Sequence, residues 1–319
     1  MCALRVSVLD EIVDYTVDKP RPLIGCETIQ IILIREVLDF TVLRTEESRE
    51  LNSATTPLSE KHRDQIKRVA FLATKQKAAE SRQLSSLLRT ATEKADLKVP
   101  ECFLKDNLCM SCPRCGLFGA TALSEEANIK HRIEYSTAFS LLPFEQITDE
   151  ITFNAVGEND QRTGQALGSR HVVRPATLFP SIVTLKAVTK TELILAIKTL
   201  LSCKSYGAET RIGGDIRNSI MAIVLGWEEI ITPLELTLEL YDLGSNLDPS
   251  SLEKVLKEKY APLCGNPDHL KILSSAAVES LVQECAETTL DKQFLTKAYD
   301  QIAEYRQQQD PKKEKKKKG

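Results

Sequence analysis

Four cysteines within fourteen residues constrain this 319-residue sequence more than any other feature. Cys102, Cys109, Cys112 and Cys115 follow the spacing C-x6-C-x2-C-x2-C. A C-x2-C turn aims two sulfurs at one point, about 2.3 Å from a bound zinc ion. The four thiolates can therefore converge on one soft metal ion, and a structural zinc site is the first interpretation of the spacing.

Other interpretations of this cluster stay open. An iron–sulfur cluster uses a similar run of cysteines, although Gly119 stands where the fourth cysteine of a ferredoxin-type run is expected. One of the four thiols could be idle, with His131 in its place. A catalytic zinc is disfavoured, because the sequence has no H-E-x-x-H motif and no H-x-E motif paired with the cysteines.

The cysteine count agrees with a metal site better than with a disulfide framework. Nine is an odd number, and the first residues lack the basic and long apolar stretches of a signal peptide. The longest apolar runs are too short to span a bilayer. We therefore expect a soluble, cytoplasmic protein that does not contact a membrane. Its 42% of hydrophobic residues predicts a sizeable core.

Charge is distributed unevenly along the chain, although the net charge is only −3. Residues 161–217 contain nine basic and three acidic residues, whereas residues 225–310 contain seven basic and sixteen acidic ones. A field of this kind can concentrate a polyanion on the middle of the chain. The alternative is a chance difference between solvated helix surfaces.

Hydrophobic periodicity predicts alternating strands and helices. Strands are predicted within 28–45 and 151–156 and over 177–188 and 216–227, a loop over 52–57 and one long helix or a helix pair over 59–97. Thr189 and Glu192 form a capping box, which places a helix start there. Two helices are predicted within 267–309.

Two stretches offer groups that bind phosphate. Glycine residues let the backbone approach an anion, and arginine binds it with two hydrogen bonds. In the glycine loop (residues 205–215) and its flanks, the candidate nucleic-acid-binding residues are Lys204, Tyr206, Arg211, Gly213, Gly214 and Arg217. In a polar hairpin with its turn near 157–164, they are Arg162, Arg170, His171 and Arg174. The alternative for the loop is an ordinary helix C-cap and turn.

Three stretches together resemble a known family. They are CMSCPRCGLFGA, GQALGSRHVVRPATLFPSIVTLKAVT and SYGAETRIGGDIRNS, which begin at residues 109, 164 and 205. They resemble the backbone subunit of type I-D CRISPR surveillance (Cascade) complexes, a member of the RAMP superfamily. The resemblance covers most of residues 24–241, and its most specific parts are the cysteine–LFG stretch and the RIGGD sequence.

The resemblance implies an α+β fold. The expected architecture is a modified ferredoxin-like, RRM-type palm with a zinc-binding insertion, a β-hairpin thumb insertion and extra helices. Residues 1–310 would form a single domain, with the zinc-binding segment at 102–120 and the thumb at about 129–175. Residues 311–319, which are rich in lysine, would form a disordered tail.

The resemblance also implies a function. Several copies would stack head-to-tail along one guide RNA (crRNA), other subunits would complete the complex, and the guide would pair with target DNA. The chain itself would not be an enzyme. The main alternative is a metal-dependent nuclease subunit that cleaves the bound target strand, as in type III relatives. Residues 51–57, the comparable loop, contain no Asp or Glu, and Asp39 and Glu50 are the nearby acidic residues. A third hypothesis is a zinc-dependent interaction module unrelated to nucleic acid.

Overall fold

The computed structural model describes residues 7–45, 50–104, 107–121, 128–156, 163–207, 214–244 and 247–309, with only the backbone described at 153–156 and 163–167. The strands are β1 (Thr28–Val37), β2 (Ser53–Pro57), β3 (Gln65–Phe71), β4 (Ile133–Tyr135), β5 (Ala138–Phe139), β6 (Thr148–Val156), β7 (Thr163–Val173), β8 (Leu178–Lys186), β9 (Ile216–Gly226) and β10 (Lys271–Ile272). The α-helices are α1 (Val8–Glu11), α2 (Ala73–Lys94), α3 (Pro113–Phe118), α4 (Phe144–Ile147), α5 (Lys190–Ser202), α6 (Pro233–Leu243), α7 (Pro249–Val255), α8 (Ser275–Glu287) and α9 (Lys292–Gln309).

A five-stranded antiparallel sheet forms the centre of the molecule, in the order β10–β9–β1–β8–β4. β1 pairs with β8 on one side and with β9 on the other, so that Ile31 faces both Val183 and Ile223. The β-branched run of β1 suits this position, because a strand buried on both faces needs apolar side chains throughout. β8 and β9, which follow one another in sequence, are therefore separated in the sheet by β1.

Helices cover both faces of this sheet. Successive side chains of a strand point to opposite faces, so the apolar residues of β1 need a covering layer on each side. Ile29, Ile31 and Leu33 share one core cluster with residues of α2, α5, α8 and α9. Ile32 and Ile34 belong to a second cluster with residues of α6 and α7 on the opposite face. The predicted α+β class is confirmed, and the sheets of the described residues are antiparallel. In the part of the chain that the structure describes, no helix combines the length and apolarity that a membrane crossing requires.

A second, three-stranded sheet corrects two expectations. The predicted loop at 52–57 is β2, and the first part of the predicted helix at 59–97 is β3, which pairs with β2 from Ser53↔Val69 to Pro57↔Gln65. Tertiary contacts override the local pattern here. Arg68 is buried and donates hydrogen bonds to the carbonyls of Ser140, Leu141 and Leu58, which holds β3 against the segment after β5.

A separate two-stranded sheet corresponds to the predicted hairpin. β6 and β7 pair from Thr148↔Val173 to Val156↔Thr163. The base of the hairpin is attached to the chain just after β1, because Thr41 and Val173 exchange two backbone hydrogen bonds of 3.0 and 2.8 Å. The predicted turn at 157–164 lies mostly outside the described residues, as does the predicted tail at 311–319.

Candidate metal centre and nucleic-acid interface

The four predicted metal ligands lie together. The sulfur atoms of Cys102, Cys109, Cys112 and Cys115 are all within 4.8 Å of one another, and those of Cys102 and Cys115 are 3.6 Å apart. Four sulfurs arranged tetrahedrally at about 2.3 Å from one ion are about 3.8 Å apart, which agrees with this geometry. The cluster is positioned to bind a metal ion. His131 is not part of it, so a substitution of His131 for one thiol is not supported.

Local backbone geometry brings the thiols together. Met110, between Cys109 and Cys112, has a positive φ of 58° and turns the chain sharply. Cys112 then caps α3, where its sulfur accepts a hydrogen bond of 3.4 Å from the Cys115 amide and Pro113 takes the first helical position. Gly119 ends α3 with a φ of 83°, and a Cβ there would lie 3.1 Å from the backbone of Ile129 and His131. The glycine of the LFG sequence therefore permits a close approach of two backbone segments.

The cysteine cluster packs against α9. Cys112 and Cys115 are buried in a cluster with Met110, Ala120, Ile129 and Tyr305, and Tyr299 packs against it. Burial, followed by the charges of the four cysteines, raises the pKa of Tyr299 above its ordinary value. A cavity of about 530 Å³ reaches Cys102, Cys112 and Tyr299 from outside. The cluster is thus built into the fold, and the partly exposed Cys102 borders an open cavity.

The end of β1 is the junction where both predicted phosphate-binding stretches meet. Leu38 donates a backbone hydrogen bond of 2.8 Å to Asp215, at the end of the glycine loop. Thr41 pairs with Val173 of β7, and its methyl carbon would lie 3.0 Å from a Cβ added at Gly214. The structure therefore brings the return of the hairpin and the stem of the glycine loop to one edge of the central sheet.

The hairpin residues of this junction differ in their surroundings. Arg170 is half-buried, and His171 and Arg174 are exposed. His171 stands opposite Glu150 in the hairpin, and the Nε atom of Arg174 lies 3.4 Å from a carboxylate oxygen of Asp149. Arg162 lies outside the described residues.

The glycine-loop residues are placed by a tight stem. Tyr206 N–H bonds the Gly214 carbonyl at 3.2 Å, and Ile216 N–H bonds the Lys204 carbonyl at 2.8 Å. Gly214 has a φ of 62°, and a Cβ there would lie 2.6 Å from the backbone of Gly207. Lys204 and Arg217 are exposed, and Arg217 forms an ion pair with Glu36. Arg211 and Gly213 lie outside the described residues.

Tyr206 occupies a different position from the other candidates. Its side chain is buried, with 3% of its surface exposed, and its ring meets Phe71 edge to face. The ring is thus part of the core, and only the backbone of this residue faces the loop.

The basic charges of residues 161–217 are more dispersed than their proximity in sequence suggests. Lys186 lies at the end of β8 that is farther from the junction, and it pairs with Glu134 and Glu229. Lys190 pairs with Asp10, and Lys198 donates to the Ala286 carbonyl on the helical side of the sheet. The expected concentration of charge is therefore reduced to the residues around the end of β1.

A buried polar cluster beside this junction was missed in the sequence. The guanidinium of Arg35 lies 2.7 Å from the Glu80 carboxylate and donates to Tyr206 and Asn218, each at 2.9 Å. Burial, which the charge of Glu80 reinforces, raises the pKa of Tyr206 well above its ordinary value. An arginine within the apolar run of β1 was the available signal, because a charged residue in a central strand needs a buried partner.

A solved structure shares this fold. Csc2 of Thermofilum pendens superimposes with a TM-score of 0.59 at 20% identity, covering 94% of this chain and 98% of that one. Weaker similarity extends to a chain of a Type IV-B CRISPR complex, with a TM-score of 0.43, 9% identity and coverages of 60% and 90%. A chain of a CRISPR RNA-guided surveillance complex gives a TM-score of 0.45, 11% identity and coverages of 72% and 84%.

Family membership rests on the sequence itself. No curated protein matches the chain significantly. The family model described as Csc2 Crispr matches residues 19–315, which is nearly the whole sequence. The chain therefore belongs to the Csc2 CRISPR family.

Proposed function

We propose that the chain is the crRNA-binding backbone subunit of a type I-D CRISPR effector complex. Membership of the Csc2 family over residues 19–315 is the observation that carries this proposal. Several copies bind head-to-tail along one crRNA in the cytoplasm, together with the other subunits of the complex. The guide, rather than the protein, reads the target DNA by base pairing.

The proposed palm is ferredoxin-like. β1, β4, β8 and β9 follow the chain order of the four strands of that fold, and their spatial order β9–β1–β8–β4 is the order 4-1-3-2. The helices α2 and α5 occupy the two crossover positions, after β1 and after β8. This topology supports the RRM-type palm, and we retain 102–120 as its metal-binding insertion and residues 1–310 as one domain. The thumb expected at about 129–175 is reduced to the hairpin of β6 and β7, because β4 lies in the palm sheet.

The proposed RNA surface surrounds the end of β1. The hairpin return and the glycine-loop stem meet there, and both carry exposed cationic groups. We assign the phosphate contacts to the side chains of Arg170, His171, Arg174, Lys204 and Arg217 and to the backbone at Gly214, with Arg162, Arg211 and Gly213 as further candidates from the sequence. Arg174 and Arg217 must exchange a carboxylate partner for phosphate. Each phosphate contact releases counterions from the RNA, so binding is expected to weaken as the salt concentration rises.

The proposed metal is a structural zinc ion held by all four thiols. A tetrahedral set of four cysteines leaves no open coordination position for a substrate or a water molecule. When bound, the ion would hold the segment 102–120 together. Its role is therefore to support the palm, and no chemical step is assigned to it.

The nuclease alternative has weaker support. Among the residues that the structure describes, the one group of side chains placed to hold a metal ion consists of thiols, whereas magnesium requires oxygen ligands. Asp39 lies at the end of β1, but one of its carboxylate oxygens accepts a hydrogen bond from the Phe40 amide. We therefore propose a non-catalytic subunit.

Charge reversal tests the RNA surface. The triple variant Arg170→Glu, Arg174→Glu, Lys204→Glu should bind single-stranded RNA at least about tenfold more weakly than the wild type, with a smaller salt dependence. The matched control reverses three exposed cations outside the proposed surface, Lys94→Glu, Lys254→Glu and Lys297→Glu. Equal affinity of both variants for RNA would contradict the proposed surface. Magnesium-dependent cleavage of a complementary strand that is lost in Asp39→Ala would favour the nuclease.

A further inference from the structure

We propose that Tyr206 is a positioning residue whose buried hydroxyl fixes the stem of the glycine loop for RNA binding. This inference rests on the proposed function, because it assigns a role in RNA affinity. Its structural basis is independent of that function and lies in the cluster around Arg35.

The hydroxyl of Tyr206 uses its full hydrogen-bonding capacity. It donates to Glu80 Oε1 at 2.8 Å and accepts from Arg35 Nη1 at 2.9 Å and from Asn218 Nδ2 at 2.8 Å. A phenolic oxygen has one proton and two acceptor positions, so all three are occupied. One atom of the loop stem is thereby connected to β1, α2 and β9.

The cluster cannot easily rearrange without this hydroxyl. The Nε and Nη2 atoms of Arg35 are buried and have no hydrogen-bond partner, and the guanidinium lies 5.2 Å from the centre of the Tyr206 ring. Asn218 Nδ2 is also bonded to the carbonyls of Leu200 and Cys203, at the end of α5. Withdrawal of Tyr206 would leave a buried cation with still fewer partners, which is costly. The ring is therefore held firmly in place.

Fixing this ring also fixes the backbone that carries the exposed cations. The amide of Tyr206 bonds Gly214, and the carbonyl of Lys204 bonds Ile216, directly before Arg217. Lys204 and Arg217 thus lie on the two sides of a stem that Tyr206 anchors in the core, in addition to the pairing of Ile216 and Arg217 with β1. A binding site that is ordered before it meets its ligand loses less conformational entropy on binding. Tyr206 therefore contributes to RNA affinity without contacting the RNA.

Tyr135 provides a matched control. Its hydroxyl donates to the other oxygen of the same carboxylate, Glu80 Oε2, at 2.6 Å, but Tyr135 belongs to β4 and has no connection to the loop stem. Tyr206→Phe and Tyr135→Phe each remove one phenolic hydroxyl that donates to Glu80, and Tyr206→Phe also removes the acceptor used by Arg35 and Asn218. A merely structural role predicts that in both variants any loss of RNA affinity follows the loss of thermal stability.

The experiment measures RNA affinity, its salt dependence and amide hydrogen exchange for the wild-type full chain and both variants. We expect Tyr206→Phe to weaken binding of single-stranded RNA about tenfold and Tyr135→Phe less than about twofold. The slope of log K against log salt should stay at the wild-type value in Tyr206→Phe, because no phosphate contact is removed. In the comparison variant Lys204→Ala the magnitude of this negative slope should decrease by about 0.7. Backbone amides at 204–207 and 214–216 should exchange faster in Tyr206→Phe alone.

Equal losses of affinity in Tyr206→Phe and Tyr135→Phe, or wild-type affinity in Tyr206→Phe, would overturn the inference. A decreased salt slope in Tyr206→Phe would also overturn it, since it would indicate lost phosphate contacts. If the wild-type chain binds no RNA, the proposed function fails, and hydrogen exchange alone decides the positioning role. Unchanged exchange at the stem in Tyr206→Phe would then reject that role.

Discussion

Arg132 and Glu192 form an ion pair that is almost completely removed from solvent, with side-chain exposures of 1% and 2%. Arg132 Nη1 donates to Glu192 Oε2 at 2.7 Å and to the Ala187 carbonyl at 3.0 Å, and Nη2 donates to Glu192 Oε1 and to the Gly116 carbonyl in α3. Glu192 also belongs to the capping box of α5. This pair therefore joins the metal-binding segment to a helix of the palm.

Breaking this pair should destabilise the protein strongly. Glu192→Gln leaves the Arg132 guanidinium buried without a counter-charge, and we expect a loss of about 3–5 kcal/mol in the free energy of unfolding. Chemical denaturation measures the loss. The control Lys254→Ala removes an exposed pair with Glu258 and should cost less than about 1 kcal/mol. If Glu192→Gln lowers the free energy of unfolding by less than about 1 kcal/mol, the ion pair does not connect the metal-binding segment to α5.

The metal centre should be required for folding of the segment 102–120. Cys109→Ser removes one of four ligands, so we expect loss of bound zinc in elemental analysis and a lower melting temperature. A chelator, which can approach the partly exposed Cys102 through the adjoining cavity, should also lower the wild-type melting temperature. Cys26→Ser changes an exposed cysteine outside the cluster and should retain the metal. A variant Cys109→Ser with normal stability and RNA binding would refute the supporting role.

Gly214 should not tolerate a side chain. Its φ of 62° is unfavourable for an L-residue, and a Cβ would lie 2.6 Å from the backbone of Gly207, which cannot move aside cheaply. Gly214→Ala should cost at least about 2 kcal/mol in the free energy of unfolding and weaken RNA binding.

The matched control is Gly168→Ala on β7, where an added Cβ has no atom within 4 Å. We expect a neutral or slightly stabilising effect there, because strand interiors favour alanine over glycine. Equal stability of the two variants in denaturant unfolding would be inconsistent with the tight stem.

The start of α7 should make stability depend on pH. Hydrogen bonds from Ser250 and then Ser251 hold the pKa of the Asp248 carboxyl well below its ordinary value. A lowered folded-state pKa gives stability that is present above the unfolded pKa of about 3.9 and is lost as the pH falls through the folded value.

The destabilisation caused by Asp248→Ala should therefore be largest near neutral pH and decrease below about pH 4. Melting temperatures at pH 7 and pH 3 measure it. Ser274 caps α8 with a hydroxyl that does not titrate in this range. Ser274→Ala should therefore lower the melting temperature by the same amount at pH 7 and pH 3. Identical pH profiles for the two variants would refute the assignment of Asp248.

Local signals in the sequence predicted some elements well. The capping box at Thr189 and Glu192 marked the start of α5, and the apolar run marked β1, because both depend on neighbouring residues alone. The four cysteines were predicted as a cluster because their spacing is short enough for local turns to bring them together.

The remaining features depend on contacts between distant segments. β3 has helical periodicity in sequence, but its pairing with β2 and the contacts of Arg68 decide its conformation. Tyr206 is of a residue type that stacks on nucleic-acid bases, yet its hydroxyl accepts a hydrogen bond from Arg35, which is 171 residues away in sequence. Burial of this kind is set by tertiary packing, which no window of local sequence contains.

The central claim is that this chain binds crRNA as a backbone subunit. Sequencing the nucleic acid that copurifies with the chain, when it is co-expressed with the other effector subunits and a crRNA, tests that claim most directly. We predict that one RNA species of uniform length, the crRNA, is retained with several copies of the chain per RNA molecule. A complex free of nucleic acid, or one that retains cellular RNA without enrichment of the crRNA, would contradict the claim.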